Sequence, residues 1–190
     1  MNDRVYFNSV ANKWDSTHSF DEEKIKEILD ISNIKEKAKI LDVATGTGVL
    51  IKYLLERMPR KIIAVDVAEK MIEVAKKKYN NKEVEFKAID VMDYTEDGFD
   101  YIFIYSAYPH FKDKNRLINH LSSMLNKGGK LVIAHSNSRE EINRIHKGKE
   151  EFKDAILMPI KDTVKVIEKY LDIDTYVDNS EMYYISAVRR

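Results

Sequence analysis

The sequence predicts an α/β fold built on a doubly wound, mainly parallel sheet. Short apolar strands alternate with amphipathic helices, a glycine loop joins the first strand to its helix, and an acid closes each of the first three strand–helix units. These acids, Asp42, Asp66 and Asp90, recur at intervals of 24 residues. Because parallel strands end at one edge of a sheet, we expect the three carboxylates to lie together there.

Residues 1–36 are predicted to form two helices that cover the open end of the sheet as a lid. Apolar and aromatic residues recur at every fourth position from Tyr6 to Trp14, which indicates an amphipathic first helix. Ser19 and Glu22 are spaced as a capping box. We therefore expect the second helix to start at this pair.

Residues 39–50 are predicted to be a buried strand, a tight glycine loop and the first turn of a helix. Gly46 and Gly48 permit a sharp turn and a close approach of the backbone to a ligand, at which the helix N–H groups point. Dinucleotide-binding folds have a third glycine three residues further on, where this chain has Ile51. Asp42 would repel a pyrophosphate and attract an ammonium or sulfonium group. This pattern favours S-adenosylmethionine as the ligand.

The middle of the chain continues the alternation of strands and helices. The helix that follows the second strand is broken at Asn80 and Asn81, and the helix that precedes the fifth strand stops before Gly128. Strict alternation in the third strand indicates one exposed face and a position near the sheet edge. The predicted strands after the first are residues 61–66, 83–88, 99–105 and 130–135.

The last part of the chain, residues 136–190, is predicted to be a cap segment and two closing strands. Ser138 is expected to cap a short helix, and a final helix carries Val164, Ile167 and Leu171 on one face. Residues 136–160 otherwise follow no pattern that predicts their conformation. The closing strands are placed at residues 173–177 and 183–188.

Composition indicates one soluble domain over residues 1–190, without a membrane span or a secretory signal, and hence a cytoplasmic location. With 32 basic and 32 acidic residues the net charge is zero, which favours a small-molecule partner over nucleic acid. The absence of cysteine leaves His, Asp, Glu or Tyr as the candidate bases and metal ligands. The choice between a monomer and a homodimer stays open.

The run Asp42-Val43-Ala44-Thr45-Gly46-Thr47-Gly48 resembles the first motif of class I S-adenosylmethionine-dependent methyltransferases, with Ala44 where the family often has its first glycine. Residues 7–15 look like the lid of the quinone-biosynthesis-like (type 11) small-molecule members, and residues 125–129 resemble the family's Leu-Lys-Pro-Gly-Gly turn without its proline. The resemblance implies a Rossmann-like sheet of seven strands with an antiparallel last strand, whose cofactor-binding core is residues 37–135.

The resemblance and the spacing of the acids together give each cofactor-binding residue a role. Asp42 is expected to face the methionyl ammonium, Asp66 the ribose hydroxyls, and Asp90 the adenine amine. Trp14 is expected either to close over the cofactor or to anchor the core. The predicted cofactor-binding set is Asp42, Ala44, Thr45, Gly46, Gly48, Asp66, Val67, Met71, Asp90, Val91, Tyr105 and Trp14.

The loop after the fourth strand is expected to border the methyl acceptor, together with several histidines that fall where loops should converge. His120, in the middle of a helix, is expected to be structural. Three interpretations of the others stay open: a general base at His110 or His135, a divalent-metal site, or a polar pocket lining with Arg139 as an anion clamp. The residues involved are Tyr105, Ser106, Tyr108, His110, His18, His135, His146 and Arg139.

The sequence therefore predicts a methyltransferase that moves a methyl group from S-adenosylmethionine to an O, N, S or C atom of a small molecule, leaving S-adenosylhomocysteine. Two alternatives use the same sheet. One is an NAD(P)-dependent oxidoreductase, which the missing third glycine at Ile51 disfavours. The other is a non-catalytic module that binds S-adenosylmethionine or a metal.

Overall fold

A computed structural model describes residues 3–190 of the chain. Within these residues, seven strands form one sheet, and each predicted strand is present. The strands are β1 (Lys39–Val43), β2 (Lys61–Asp66), β3 (Val84–Ala88), β4 (Phe99–Tyr105), β5 (Leu125–His135), β6 (Asp172–Asp178) and β7 (Tyr183–Val188).

The strand order is β3-β2-β1-β4-β5-β7-β6. β1 pairs in parallel with β2 and β4, whereas β7 runs antiparallel to both β5 and β6. The predicted doubly wound, Rossmann-like sheet with an antiparallel last strand is therefore confirmed, as is the edge position of β3. The winding reverses at β1, between β2 and β4, which is where open α/β sheets form a ligand crevice.

Helices cover both faces of the sheet, and each face has its own apolar core. On one face Leu54 and Ile72 pack with Ile40 of β1, and on the other Leu121 packs in the same cluster as Leu41. None of the described helices is long and apolar enough to cross a membrane. The α-helices are α1 (Asp3–Val10), α2 (Trp14–Thr17), α3 (Glu22–Ser32), α4 (Ile51–Leu55), α5 (Glu69–Lys78), α6 (Lys114–Met124), α7 (Arg139–Lys147) and α8 (Ile160–Ile167).

The N-terminal helices differ from the prediction in two ways, and residues 1 and 2 of the predicted lid lie outside the described residues. The first helix is broken into α1, a 3₁₀ turn and α2, an arrangement in which Phe7 and Trp14 both pack against the cluster that contains Met71. The second helix is capped by Asp21 rather than Ser19, because the Asp21 carboxylate accepts hydrogen bonds from the first-turn N–H groups of Glu23 and Lys24.

Three other boundaries also differ from the prediction. α4 ends at Leu55, and Met58, just before Pro59, has a left-handed φ of 50°. α8 ends before Leu171. β5 begins at Leu125, because the following bend remains hydrogen-bonded to the chain end through the backbone of Arg189.

Gly48→Ala is expected to destabilise the protein more than Gly128→Ala, although both glycines have a left-handed φ, 83° and 75°. A Cβ at Gly48 would lie 3.0 Å from the Tyr79 ring, whereas a Cβ at Gly128 meets nothing within 4 Å. We expect losses of about 3 kcal/mol and about 1 kcal/mol in the free energy of unfolding. Urea unfolding measures both, and equal losses would mean that the Tyr79 contact is unimportant.

Candidate active site

A cleft of about 1630 Å³ opens at the carboxyl ends of β1, β2 and β4. Its walls come from the glycine loop, from the loop between β4 and α6, from α1, and from residues 150–155. Ligand sites of small molecules commonly occupy about 300–1,000 Å³. The cleft therefore has room for a nucleoside cofactor and a second small molecule.

The glycine loop after β1 turns by means of residues with left-handed backbones. Ala44 and Gly46 both have a φ of 56°. A left-handed conformation costs an alanine roughly 1–2 kcal/mol, so the position that the family often fills with glycine carries strain here. A Cβ added to Gly46 meets nothing within 4 Å, and both residues line the cleft.

Asp42 lies beneath this loop, with 2% of its surface exposed. Its Oδ2 accepts a hydrogen bond of 2.6 Å from the Thr45 hydroxyl. Burial, with a smaller contribution from the charge of Asp66, raises the pKa of Asp42 to about 7, although the Thr45 hydrogen bond acts in the opposite direction. A buried carboxylate whose hydrogen-bond donor is a neutral hydroxyl has no compensating positive charge, and a cationic ligand would supply one.

Asp66, at the end of β2, joins the glycine loop to the start of α5. Its Oδ2 accepts from the Gly46 N–H and its Oδ1 from the Ala68 N–H, both at 2.8 Å. Burial raises the pKa of Asp66, opposed by these two backbone hydrogen bonds. Each carboxylate oxygen has a second lone pair, so Asp66 can accept ligand hydroxyls while it keeps its backbone partners.

Asp90 follows β3 on the same cleft wall, but it is exposed. Its Oδ1 accepts from the Met92 N–H at 2.9 Å and so caps a short 3₁₀ turn that holds Val91 in the wall. The structure thus brings Asp42, Asp66 and Asp90 to one cleft, as their spacing predicted. Val67 and Met71 line it as well.

The N-terminal helices close one side of the cleft through contacts that the sequence did not reveal. Asp15 Oδ1 accepts from the Thr47 hydroxyl of the glycine loop at 2.5 Å, and Asp15 Oδ2 lies 2.7 Å from Lys78 Nζ. Asn8 bonds both the Glu69 carboxylate and a backbone N–H at the start of α5. Trp14 lines the cleft and also packs with Ala11 and Met71, so both roles considered for it fit its position.

The loop after β4 contributes some of the predicted residues and not others. Tyr105 lines the cleft, and its hydroxyl donates to Ser136 Oγ at 2.8 Å. Ser106 also lines the cleft, with a left-handed φ of 53°. Tyr108, expected to border the acceptor, instead packs fully buried in the core, and its hydroxyl has no hydrogen-bond partner among residues 3–190.

Of the candidate bases, His110 lies on the cleft wall and His135 does not. Burial, then the charges of His146, Lys114 and Lys149, lowers the pKa of His110 to about 4. The imidazole is therefore neutral near pH 7 and able to accept a proton. Its buried Nδ1 has no hydrogen-bond partner in the described part of the chain.

The other histidines separate into two groups. The ring centroids of His146 and His110 are 5.1 Å apart. His135 is 1% exposed, and its burial, followed by the charges of His146 and His110, lowers its pKa to about 3. His18 stacks on Trp14 at 3.8 Å and bonds the Trp14 carbonyl. His18 therefore belongs to the end of α2 rather than to the cluster. His120 bonds two backbone carbonyls, in keeping with a structural role.

Two further expectations for the acceptor side find no support in the geometry. Arg139 lies off the cleft, where it forms ion pairs with Glu140 and, at 3.8 Å, with Asp178, so its charge is directed away from the site. Within residues 3–190, no group of three or more histidine, aspartate or glutamate side chains is arranged to hold a metal ion.

Phe152 does not line the cleft itself but supports two residues that do, His110 and Phe7, and sequence reasoning missed it. Its buried ring packs on His110 with a centroid distance of 4.7 Å and stacks on Phe7 at 5.7 Å. It thereby joins the segment after α7 to α1 beside His110. No periodicity marks this stretch, so only the isolated aromatic residue within a charged run could have drawn attention to it.

The fold is Rossmann-like and of the class I, S-adenosylmethionine-dependent methyltransferase type. It has the strand order and the antiparallel last strand of that type, together with a strained glycine loop and acids around the cleft. A family model described as "Methyltransferase domain" matches residues 34–186, and the chain belongs to this family. The resemblance noted from the glycine motif is thereby confirmed.

Curated relatives and solved structures agree with this assignment. The chain is 30% identical to malonyl-[acyl-carrier protein] O-methyltransferase of Acetivibrio thermocellus, over 69% of this chain and 48% of that protein. It is 26% identical to demethylmenaquinone methyltransferase of Thermotoga maritima, over 67% and 58%. The chain thus spans about half the length of the curated relatives it matches. An S-adenosylmethionine-dependent methyltransferase of Aquifex aeolicus shares the fold with a TM-score of 0.75 at 19% identity, covering 96% and 98% of the two chains.

Proposed function

We propose that this chain is an S-adenosylmethionine-dependent methyltransferase that acts on a small molecule, with S-adenosylhomocysteine as the other product. One observation carries the proposal. A buried carboxylate, Asp42, lies under a glycine loop with no cationic side chain paired to it within the described residues. Such a site fits a ligand that brings its own positive charge. When bound, S-adenosylmethionine would supply a methyl group whose carbon the acceptor attacks in line, while the sulfonium sulfur leaves as the neutral thioether of S-adenosylhomocysteine.

The proposed roles of the cofactor-binding residues follow from their positions in the cleft. Asp42 is assigned to the methionyl ammonium and Asp66 to the ribose hydroxyls. Asp90 and Val91 are assigned to the adenine, with Val67 or Met71 against its other face. The loop of Ala44, Thr45, Gly46 and Gly48 provides the close backbone approach, and Tyr105 and Trp14 complete the enclosure.

The chain's own contribution to the reaction is mainly positioning. Holding an acceptor and the methyl group in line can contribute roughly 7–11 kcal/mol to lowering the barrier. Trp14 and Phe7 line the cleft on the side of the N-terminal helices, where they exclude water. His110, neutral near pH 7, is the group on the cleft wall that we assign to take up the acceptor's proton.

His110→Asn is expected to lower kcat by roughly 10²-fold without changing the affinity for S-adenosylhomocysteine. Because the pKa of His110 is about 4, the imidazole stays neutral at higher pH. The wild-type kcat is therefore expected to show no histidine transition between about pH 6 and 9. Steady-state kinetics across this range test both statements. A variant with unchanged kcat would leave His110 as pocket lining only.

The function itself is tested by two measurements on the whole chain. Calorimetric titration with S-adenosylhomocysteine beside NAD decides the cofactor, and preference for NAD would indicate an oxidoreductase instead. Methyl transfer from labelled S-adenosylmethionine to a metabolite extract decides activity. Cofactor binding without any labelled acceptor, in repeated trials, would indicate a non-catalytic binding module.

The proposal also covers domain organisation, cellular location and oligomeric state. We propose one domain over residues 1–190, acting in the cytoplasm as a monomer or homodimer on a small molecule rather than on nucleic acid. The balanced charge of 32 basic and 32 acidic residues supports a small acceptor. Size-exclusion chromatography with light scattering would determine the oligomeric state.

A further inference from the structure

We infer that the methyl acceptor carries an anionic group, a carboxylate or a phosphate, which binds at Lys114 beside His110. This inference rests on the proposed function and adds the chemical class of the acceptor. It starts from the position and partners of one lysine in the cleft wall.

Lys114, the first residue of α6, lines the cleft and is half-buried. Its Nζ donates to the Phe111 carbonyl at 2.9 Å and lies 5.4 Å from the centroid of the Tyr108 ring. No carboxylate of the described residues forms an ion pair with it. An ammonium group has three donors, so Lys114 keeps donors for a ligand in the cleft.

Two lysines, Lys114 and Lys149, contact immediate neighbours of His110. Lys114 Nζ donates to the carbonyl of Phe111, the next residue, and Lys149 Nζ lies 5.7 Å from the centroid of the Phe152 ring, which packs on His110. After burial and the charge of His146, the charges of both lysines lower the pKa of His110. The burial of Lys114 lowers its own pKa, as expected for an ammonium group that has lost part of its hydration without gaining an anionic partner.

Acidic residues of the cleft do not neutralise Lys114. Asp42, Asp66 and Asp90 lie at the ends of β1, β2 and β3, on the cofactor side. Asp3 lies 3.9 Å from His110 Nδ1, and Asp113 caps α6 by accepting from a backbone N–H.

Of the other acids that line the cleft, Glu69 is bonded by Asn8 and Arg4, and Asp93 is exposed. The last three lie in the segment after α7. Glu150, Glu151 and Asp154 are exposed, and Glu150 is paired with Lys153. Exposed charges are screened by solvent and salt, whereas the half-buried Lys114 is screened less.

An anionic oxygen at Lys114 would compensate the ammonium group for the hydration that burial removed, and charge-assisted hydrogen bonds are the stronger kind. The anion would lie beside His110, the group assigned to receive the acceptor's proton. The aromatic rings of Phe7 and Phe111 line the cleft nearby and suit a short apolar linker between the anion and the methylated atom. Lys114 thereby selects acceptors by charge.

The test uses inorganic phosphate and malonate as probes, titrated by calorimetry into the full chain saturated with S-adenosylhomocysteine at constant ionic strength. We expect saturable binding of at least one anion, and about tenfold weaker binding to Lys114→Met, since one charge-assisted contact is lost. Lys114→Arg keeps the charge and should retain binding. Lys161→Met, an exposed lysine in the first turn of α8, should bind as the wild type does.

The two anions distinguish the acceptor chemistries, because preference for phosphate indicates a phosphate-bearing acceptor and preference for malonate a carboxylate-bearing one. Wild-type protein that binds neither anion, or Lys114→Met that binds both as tightly as wild type, would overturn the inference. S-adenosylhomocysteine binding is measured first for every variant. Failure at that step would count against the proposed function, whereas failure of anion binding alone counts only against Lys114.

Discussion

Asp42→Asn is expected to weaken binding of S-adenosylmethionine by roughly 10²–10³-fold, because removing one partner of a buried charge pair costs about 2–5 kcal/mol. The amide oxygen of Asn can still accept from the Thr45 hydroxyl, which bonds Asp42 at 2.6 Å in the wild type. The variant therefore keeps the local hydrogen bond and loses the charge. Its defect should appear in cofactor affinity rather than in folding.

The same carboxyl group should make cofactor binding depend on pH. The pKa of Asp42 in the free protein is about 7, and the ionised form is the one that attracts a cation. Below pH 7 the affinity is expected to fall by about tenfold per pH unit, because a proton must leave Asp42 before the ligand binds. Calorimetry in buffers of different ionisation enthalpy would detect the released proton. A flat affinity between pH 5 and 8 would exclude this role.

Ionisation of Asp42 should have opposite effects on cofactor affinity and on stability: it favours cofactor binding but lowers the free energy of unfolding. The pKa of Asp42 is 3.8 when unperturbed and about 7 in the folded protein. Between these values the folded state holds a proton that the unfolded state has released, so this group lowers stability as pH rises through that range. Asp42→Asn removes the effect. The difference in free energy of unfolding, variant minus wild type, is therefore expected to be more favourable at pH 8 than at pH 4.

The second large effect is expected from Asp66→Asn, which should lose both stability and cofactor affinity. Asp66 accepts from the N–H groups of Gly46 and Ala68 through different oxygens. An Asn side chain has one acceptor oxygen, so one of these N–H groups would be left without its partner, at a cost of about 1–3 kcal/mol. Loss of the charged acceptor for the ribose should reduce affinity by roughly 10²-fold as well.

Asp113→Asn provides a matched control for Asp66→Asn. Asp113 accepts from a single backbone N–H, that of Arg116, and Asn is as good an N-cap as Asp. Its free energy of unfolding should stay within about 0.5 kcal/mol of the wild-type value. Urea unfolding and S-adenosylhomocysteine titration of both variants give the comparison. If Asp66→Asn matches Asp113→Asn in both measurements, Asp66 neither bridges the glycine loop nor binds the ribose.

Much of the fold was predictable because its signals are local. Apolar runs placed every strand, and the edge position of β3 followed from its alternation. Helix ends were less accurate at Ser19, where the neighbouring Asp21 provides the cap, and at Met58, where α4 ends early. The start of a helix depends on which of several competent side chains meets the free N–H groups, and the end of α4 is followed by the left-handed turn at Met58; spacing alone decides neither.

The acceptor side was less predictable than the cofactor side. The acids follow strand ends, whose positions are set by the sheet itself. Tyr108 and His110 lie two residues apart, yet one is buried in the core and the other lines the cleft. The turn of the 3₁₀ segment between them decides which side chain faces inward.

By itself, the amino-acid sequence determined the doubly wound sheet, the glycine loop and the shared edge of Asp42, Asp66 and Asp90, since strand periodicity and parallel pairing leave little choice. Only the tertiary structure decided that Asp15 bonds Thr47, that Phe152 covers His110, and that His18 lies apart from the other histidines. The physical reason is that these contacts join segments far apart in the chain. Their geometry depends on how helices and loops pack on the sheet, which no local pattern records.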